Sequence, residues 1–174
     1  MIKKVIQDAI NVQIKKEMFS SNLYLAMAAY YHKINLNGFA SWMRIQAQEE
    51  QFHALKFYDY LIDRGGHAII AQIDAPTTEW ATPLTAFEAS LEHEKLVTTS
   101  INSLADLAVK ESDHATNIML QWFITEQVEE EATVSDIVER LKMMGDFKGG
   151  LYMMDNELKR IVFTAPQITT SGGK

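Results

Sequence analysis

Glu50 and His53 lie three residues apart, so a helix projects a carboxylate oxygen and an imidazole nitrogen from one face. Gln127 and Glu130 repeat that spacing with a carboxamide and a carboxylate. On a 3.6-residue wheel both pairs fall on apolar stripes. One stripe reads Phe39, Met43, Gln46, Glu50, His53, Phe57, Leu61, and another Phe123, Gln127, Glu130, Val134, Ile137, Leu141. A third, Leu84, Phe87, Leu91, Glu94, Ile101, Ala105, Ala108, carries Glu94, while Glu17 and Tyr24 share a face with Ala28 and Tyr31. Four helical stripes thus each direct one carboxylate into the core. A single such glutamate reads as a rim residue or half of an ion pair. Four change that balance, because an unpaired buried carboxylate costs several kcal/mol and four would exceed a typical stability of ~5–15 kcal/mol unless neutralised. No Lys or Arg stands between Glu111 and Glu139, a stretch holding Asp113, Glu126, Glu129, Glu130, Glu131 and Asp136. The missing cation reads as a metal.

Oxygen ligands with one nitrogen suit iron or manganese better than structural zinc, and four carboxylates balance two divalent ions, so a dinuclear site is expected. The chain has no cysteine, which removes thiolate metal sites, iron–sulfur clusters and thiol nucleophiles.

The elements that position these groups are marked by glycine and proline. A first helix is predicted from Lys3 to Lys33, ending at Asn35-Leu36-Asn37-Gly38, and a second from Phe39 to Arg64, stopped by Gly65-Gly66. A third follows Pro83, from Leu84 to Glu111, and a fourth runs from a Ser112-Asp113 cap to Met144. A short fifth, Leu151 to Phe163, sits between Gly149-Gly150 and Pro166. Short turns make helices 1 and 2, and helices 3 and 4, antiparallel pairs. Residues 65–83, at ~3.3 Å each, can span a ~40 Å bundle and let helices 2 and 3 run parallel. The fold class predicted is an all-α four-helix bundle with a long crossover and a short C-terminal helix. Glu17 to Glu50 and Glu94 to Gln127 are equally separated, a weak two-fold echo of the helix pairs.

The 174 residues form one expected domain over 1–163, with 164–174 read as a disordered tail. A net charge of −7 disfavours nucleic acid or anionic lipid and favours cations as partners. No apolar run is long enough to span a membrane, and Lys3, Lys4 and Asp8 stand where a signal segment would be apolar, so a cytoplasmic protein is expected.

Glu17, Tyr24, Glu50-x-x-His53, Glu94 and Gln127-x-x-Glu130, in this order on a long-crossover bundle, resemble the bacterial non-haem ferritins over nearly the whole chain. The resemblance implies iron storage with ferroxidase activity, Fe(II) being oxidised by O2 or H2O2 at a di-iron centre inside each subunit. Ferric mineral would then fill a cage of twenty-four subunits. It implies that Glu17, Glu50 and His53 hold one iron, that Glu50 bridges, and that Glu94 and Glu130 hold the second. Gln127 would hydrogen-bond nearby and Tyr24 would supply a phenol, its competing reading being an ordinary core tyrosine. Glu49, Glu126 and Glu129 match a third iron position; alternatively they are a solvated acidic face. Trp122 reads either as an electron source or as packing. Gln51 stands where the haem-binding relatives carry methionine, so no haem is expected. His32, His67, His93 and His114 lie off the carboxylate stripes and read as surface or cap positions, with His114 a candidate pore residue. Leu151, Met154, Leu158 and Ile161 give the fifth helix an apolar face, expected against symmetry mates or on the end of its own bundle. Two rivals stay open: a di-iron or di-manganese peroxidase or catalase without storage, and a metal-free helical interaction protein.

Overall fold

A computed structural model of the chain describes residues 1–162. Among these there are five helices and no strand: α1 Lys4–Lys33, α2 Asn37–Asp63, α3 Pro83–Lys110, α4 His114–Met144 and α5 Lys148–Leu158. The fifth helix stops at Leu158, short of the expected Phe163, and leaves Ile161 beyond the face it was expected to share; the tail 164–174 lies outside the described residues. None of the helices is long and apolar enough to cross a membrane.

Local chemistry accounts for the boundaries. Asn35 (φ 62°), Gly65 (φ 70°) and Ser112 (φ 55°) each adopt the left-handed conformation that ends a helix by turning the next N–H groups back onto its last carbonyls. Leu36 N–H bonds Tyr31 O, Gly66 N–H bonds Leu61 O, and Asp113 N–H bonds Ala108 O. Ser112 is therefore the terminator of α3, and Asp113 alone is the cap of α4, its carboxylate accepting from Thr116 N–H at 3.1 Å. Thr82 and Thr85 cap α3 reciprocally, with Pro83 as its first residue.

The crossover runs beside α1 in the same direction. Asn11 holds His67 O and Ile69 N–H at 3.0 and 2.7 Å, Lys15 pairs with Asp74, Lys33 pairs with Glu79, and Tyr31 O–H donates to Pro83 O. Chain order on α1 and on the crossover rises together, so α3 starts at the C-terminal end of α1 and descends antiparallel to it, parallel to α2. The expected topology is present.

The core is divided in two by a polar layer. Near the α5 end lie Tyr31, Phe39, Met43, Phe87, Val134 and Leu141; near the opposite end lie Ile6, Ile10, Phe57, Leu61, Leu120 and Phe123. No Cα of α2 comes within 8 Å of one of α4, and large side chains bridge the gap, Phe57 stacking on Phe123 with centroids 4.0 Å apart. Glu17, Glu50, Glu94 and Gln127 occupy the layer between the two apolar clusters.

The fifth helix differs from expectation. It begins at Lys148, with Gly149 and Gly150 in its first turn, because side chains of Phe147 and Met144 fill the space their Cβ atoms would need. Met154 and Leu158 are buried on the end of their own bundle, whereas Tyr152 and Met153 are 70% exposed. Asp155 anchors the helix: its carboxylate accepts from Gly38 and Phe39 N–H at 2.7 and 3.1 Å, capping α2 from outside. A Cβ on Gly38 would lie 1.7 Å from Asp155 O, so only glycine permits this approach.

Candidate metal centre

Glu17 on α1 and Glu50 and His53 on α2 bring one ligand atom each into a buried group whose atoms all lie within 4.8 Å of one another. Glu50 Oε2 is 3.6 Å from His53 Nδ1. The three side chains are 1–3% exposed. Glu17 Oε1 accepts from Gln13 Nε2 at 2.8 Å, but Oε2 of Glu17 and Oε2 of Glu50 are buried with no hydrogen-bond partner among the described residues. Among those residues no lysine or arginine pairs with Glu17, Glu50, Glu94 or Glu130. Two orphaned carboxylate oxygens beside an imidazole form the donor set a hard or borderline divalent cation needs.

Glu94 and Glu130 face the same layer from α3 and α4 but stand outside that tight group. Glu94 is fully buried and already engaged: Tyr24 O–H donates to Oε1, and Gln127 Nε2 donates to Oε2 at 3.2 Å. Tyr24 is completely buried and also contacts Ser90 Oγ at 3.0 Å. Gln127 Nε2 reaches Thr98 Oγ1 as well, and Thr98 O–H donates to Glu131 at 2.5 Å. Glu130 is half-buried, with Gln46 Nε2 at 3.4 Å from Oε2. Gln46 also donates to Glu49. Glu49, Glu126, Glu129 and Glu130 line a cleft of ≈ 240 Å³ between α2 and α4, with Trp42 and Ile161 also among its lining residues. Within it Glu129 is exposed and Glu49 and Glu126 are half-buried.

The electrostatics follow from burial without counter-charge. Burial, then Glu50, pushes the Glu17 carboxyl well above its ordinary range, and burial, then Glu94 and Glu130, does the same to Glu50. Glu130 is pushed up to about 9, by burial first and then Glu94 and Glu49. Glu94 is raised by burial, against the lowering hydrogen bonds of Tyr24 and Gln127. Glu49 and Glu126 are raised by burial too, and the Tyr24 phenol is held well above its usual value by burial and Glu94. Burial without counter-charge thus favours the protonated form of these carboxyls, and a cation binding there would displace protons.

His53 is held by aromatic edges, with Trp122 and Phe123 centroids 5.4 and 5.8 Å away. Lys56 Nζ sits 4.3 Å over the Trp122 ring. His32, His67 and His114 are exposed, as expected of surface or cap positions. His93 is not: it lies between α1 and α3 against Phe19, with Nε2 at 2.7 Å from Ser20 Oγ, and burial lowers its imidazole to about 4. The stripe of α3 omits it because it faces a neighbouring helix and not the central layer.

Gln13 is a residue sequence reasoning missed, and Gln46 was read only as part of a stripe. Each stands one turn before a core carboxylate, Glu17 or Glu50, and Ser90 stands likewise before Glu94. A polar residue one turn N-terminal of a buried glutamate was the available signal.

The profile of the Ferritin-like domain family matches residues 7–144. The bacterial non-haem ferritin of Bacteroides fragilis (strain 638R) is 47% identical over 158 residues, covering 91% of this chain and 98% of that protein. The bacterial non-haem ferritin of Staphylococcus saprophyticus is 42% identical over 158 residues, covering 91% of this chain and 95% of that protein. Among solved structures, an open-pore ferritin from the hyperthermophilic archaeon Archaeoglobus fulgidus superposes with a TM-score of 0.92 at 44% identity, across 93% of this chain and 100% of that one. An engineered closed form of the Archaeoglobus fulgidus ferritin gives 0.93 at 44% identity, across 94% and 100%. With the profile spanning its four long helices and relatives matched along nearly its full length, this chain belongs to the ferritin family, among the bacterial non-haem ferritins.

Proposed function

We propose that the protein stores iron and is a ferroxidase, binding Fe(II) as substrate in the carboxylate layer and oxidising it to Fe(III) with O2 or H2O2. The observation that carries this reading is the pair of orphaned buried oxygens on Glu17 and Glu50 beside His53, in a layer where no lysine or arginine of the described residues pairs with a core carboxylate. Glu17, Glu50 and His53 would hold the first Fe(II). Glu50, whose charge is felt by both halves of the layer, would be shared, and Glu94 and Glu130 would complete a di-iron centre. Glu49, Glu126 and Glu129, in the acidic cleft next to Glu130, would hold a third iron on its way out.

The chain's own residues bind, orient and handle protons. Gln13 turns Glu17 so that one oxygen is free. Trp122 and Phe123 fix the plane of His53. Tyr24 and Gln127 hold Glu94 until a second cation draws it away. The protons displaced from the carboxylates are available to the oxidant. Each Fe(II) loses one electron; O2 takes two electrons and two protons to give H2O2, and H2O2 takes two and two to give water. Carboxylates favour the product because the higher charge of Fe(III) is felt more strongly at low dielectric. The proposal includes a cytoplasmic homo-oligomeric cage of twenty-four copies enclosing the mineral.

Gel filtration with bound iron per chain tests this reading. A large hollow particle that retains many irons per chain after aerobic loading is expected. A monomer or dimer counts against storage, an enzyme that turns over but retains nothing is a peroxidase or catalase, and a protein that binds no metal is the helical interaction protein.

A further inference from the structure

A groove of about 710 Å³ lies between α1 and α3, with apolar walls including Val12, Phe19 and Leu96. Lys16 and Ser100 line it, and from them a chain of hydrogen bonds leads inward. Lys16 Nζ is 2.5 Å from Ser100 Oγ, Ser100 Oγ is 2.5 Å from Gln13 Oε1, and Gln13 Nε2 is 2.8 Å from Glu17 Oε1. Chemistry fixes its direction. An ammonium only donates, so Ser100 Oγ accepts from Lys16 and turns its single proton to Gln13. Gln13 must then present its oxygen to Ser100 and its NH2 to Glu17. Gln13 is 2% exposed, so neither flip can be compensated by water at low cost. At the inner end Glu17 Oε1 is occupied by Gln13, which leaves Oε2, buried without a hydrogen-bond partner among the described residues, as the oxygen free for a ligand role.

We infer that Lys16, Ser100 and Gln13 form a positioning relay that selects which oxygen of Glu17 faces the first cation and raises the affinity of that site. The inference rests on the metal-centre reading and adds residues to it that carry no ligand atom. The opposite wall of the layer shows why a lysine at the outer end matters. The chain from Glu94 through Gln127 and Thr98 ends at Glu131, an acceptor, so the Thr98 proton points outward and Gln127 is left donating in two directions. Of these two chains, the Lys16 one has every donor aimed at the centre.

Anaerobic titration of the assembled, metal-free protein with Co(II), followed by its visible ligand-field bands, separates the outcomes. Ser100→Ala is expected to weaken the tighter Co(II) site several-fold and Gln13→Leu by ~10-fold or more. Ser100→Thr, which keeps the hydroxyl, is expected to restore wild-type affinity, and Lys16→Met to fall between. Ser103→Ala, in the same groove but outside the chain, is the control. The thermal midpoint of metal-free Ser100→Ala should fall by no more than the roughly 4–8 °C that one lost hydrogen bond explains, and Ser100→Thr should recover it together with the Co(II) affinity; weakened Co(II) binding in Lys16→Met at an unchanged midpoint distinguishes positioning from general loosening. If Gln13→Leu fails to fold, the surface variants at 16 and 100 still decide. Wild-type affinity in Ser100→Ala overturns the relay, as does equal weakening in Ser103→Ala. A wild type that binds no Co(II) in the layer overturns the metal-centre reading itself, and the relay with it.

Discussion

The α1–α2 wall of the centre and the α3–α4 wall carry similar groups in opposite states. On the first, Glu17 and Glu50 each leave a buried oxygen without a partner, and His53 stands beside them. On the second, both oxygens of Glu94 are engaged by Tyr24 and Gln127, and Glu130 is half-exposed next to an acidic cleft. The difference teaches that, in the proposed di-iron reading, the two cation positions would not be equally prepared. The first would be assembled before metal arrives. The second would require hydrogen bonds to be exchanged for metal bonds, which would weaken it and let its occupant leave toward Glu126 and Glu129. Such an asymmetry would suit a site that captures beside a site that passes on.

The largest effect should come from the residue that joins the walls. Glu50→Ala removes the carboxylate that is felt by Glu17 on one wall and feels Glu94 and Glu130 on the other, and fast Fe(II) oxidation in stopped-flow absorbance should fall roughly hundredfold or more. The next largest concerns protons. Metal-free carboxyls with raised pKa values bind more protons folded than unfolded between the ordinary carboxylate range and, for Glu130, about 9. Stability is then full below the unfolded pKa and falls as pH rises, by up to about 1.4 kcal/mol per pH unit for each such carboxyl. Thermal unfolding from pH 5 to 9 should show this decline. Zn(II) should reverse it by binding only the native state. Glu94→Gln with Glu130→Gln should leave the metal-free protein at least as stable at pH 8 while reducing the gain from Zn(II).

Smaller changes sharpen the contrast between the walls. Tyr24→Phe strips one bond from Glu94 and should lower metal-free stability by about 1–2 kcal/mol, leaving the affinity of the first cation within about twofold. Denaturant melts with and without metal check both parts. Glu129→Ala should leave the initial oxidation phase intact and change only the iron-to-oxygen ratio, because Glu129 is exposed in the cleft beyond Glu130. Loss of the initial phase would mean the cleft belongs to the centre.

Much of this arrangement was legible in residue spacing. The stripes of Glu50 and Glu94 predict burial because helical periodicity is a local property. The crossover direction was legible from the length of residues 65–83. What escaped depends on pairs far apart in sequence. Gln13 meets Ser100 and Asp155 meets Gly38, contacts no periodicity encodes. The start of α5 at Lys148 was hidden because Gly149 and Gly150 read as breakers, whereas Phe147 and Met144 side chains occupy the space beside them. His93 was read as surface because the wheel of α3 shows which face meets the layer and not which meets α1.

The amplitude of the fast oxidation phase, measured as Fe(II) is added stepwise to the metal-free protein before mixing with O2, tests the central claim most directly. Saturation at about two Fe(II) per chain in wild type, with the fast phase gone in Glu50→Ala, is the predicted result for a centre built across both walls. A fast phase that survives Glu50→Ala, or none at any loading of wild type, would contradict it.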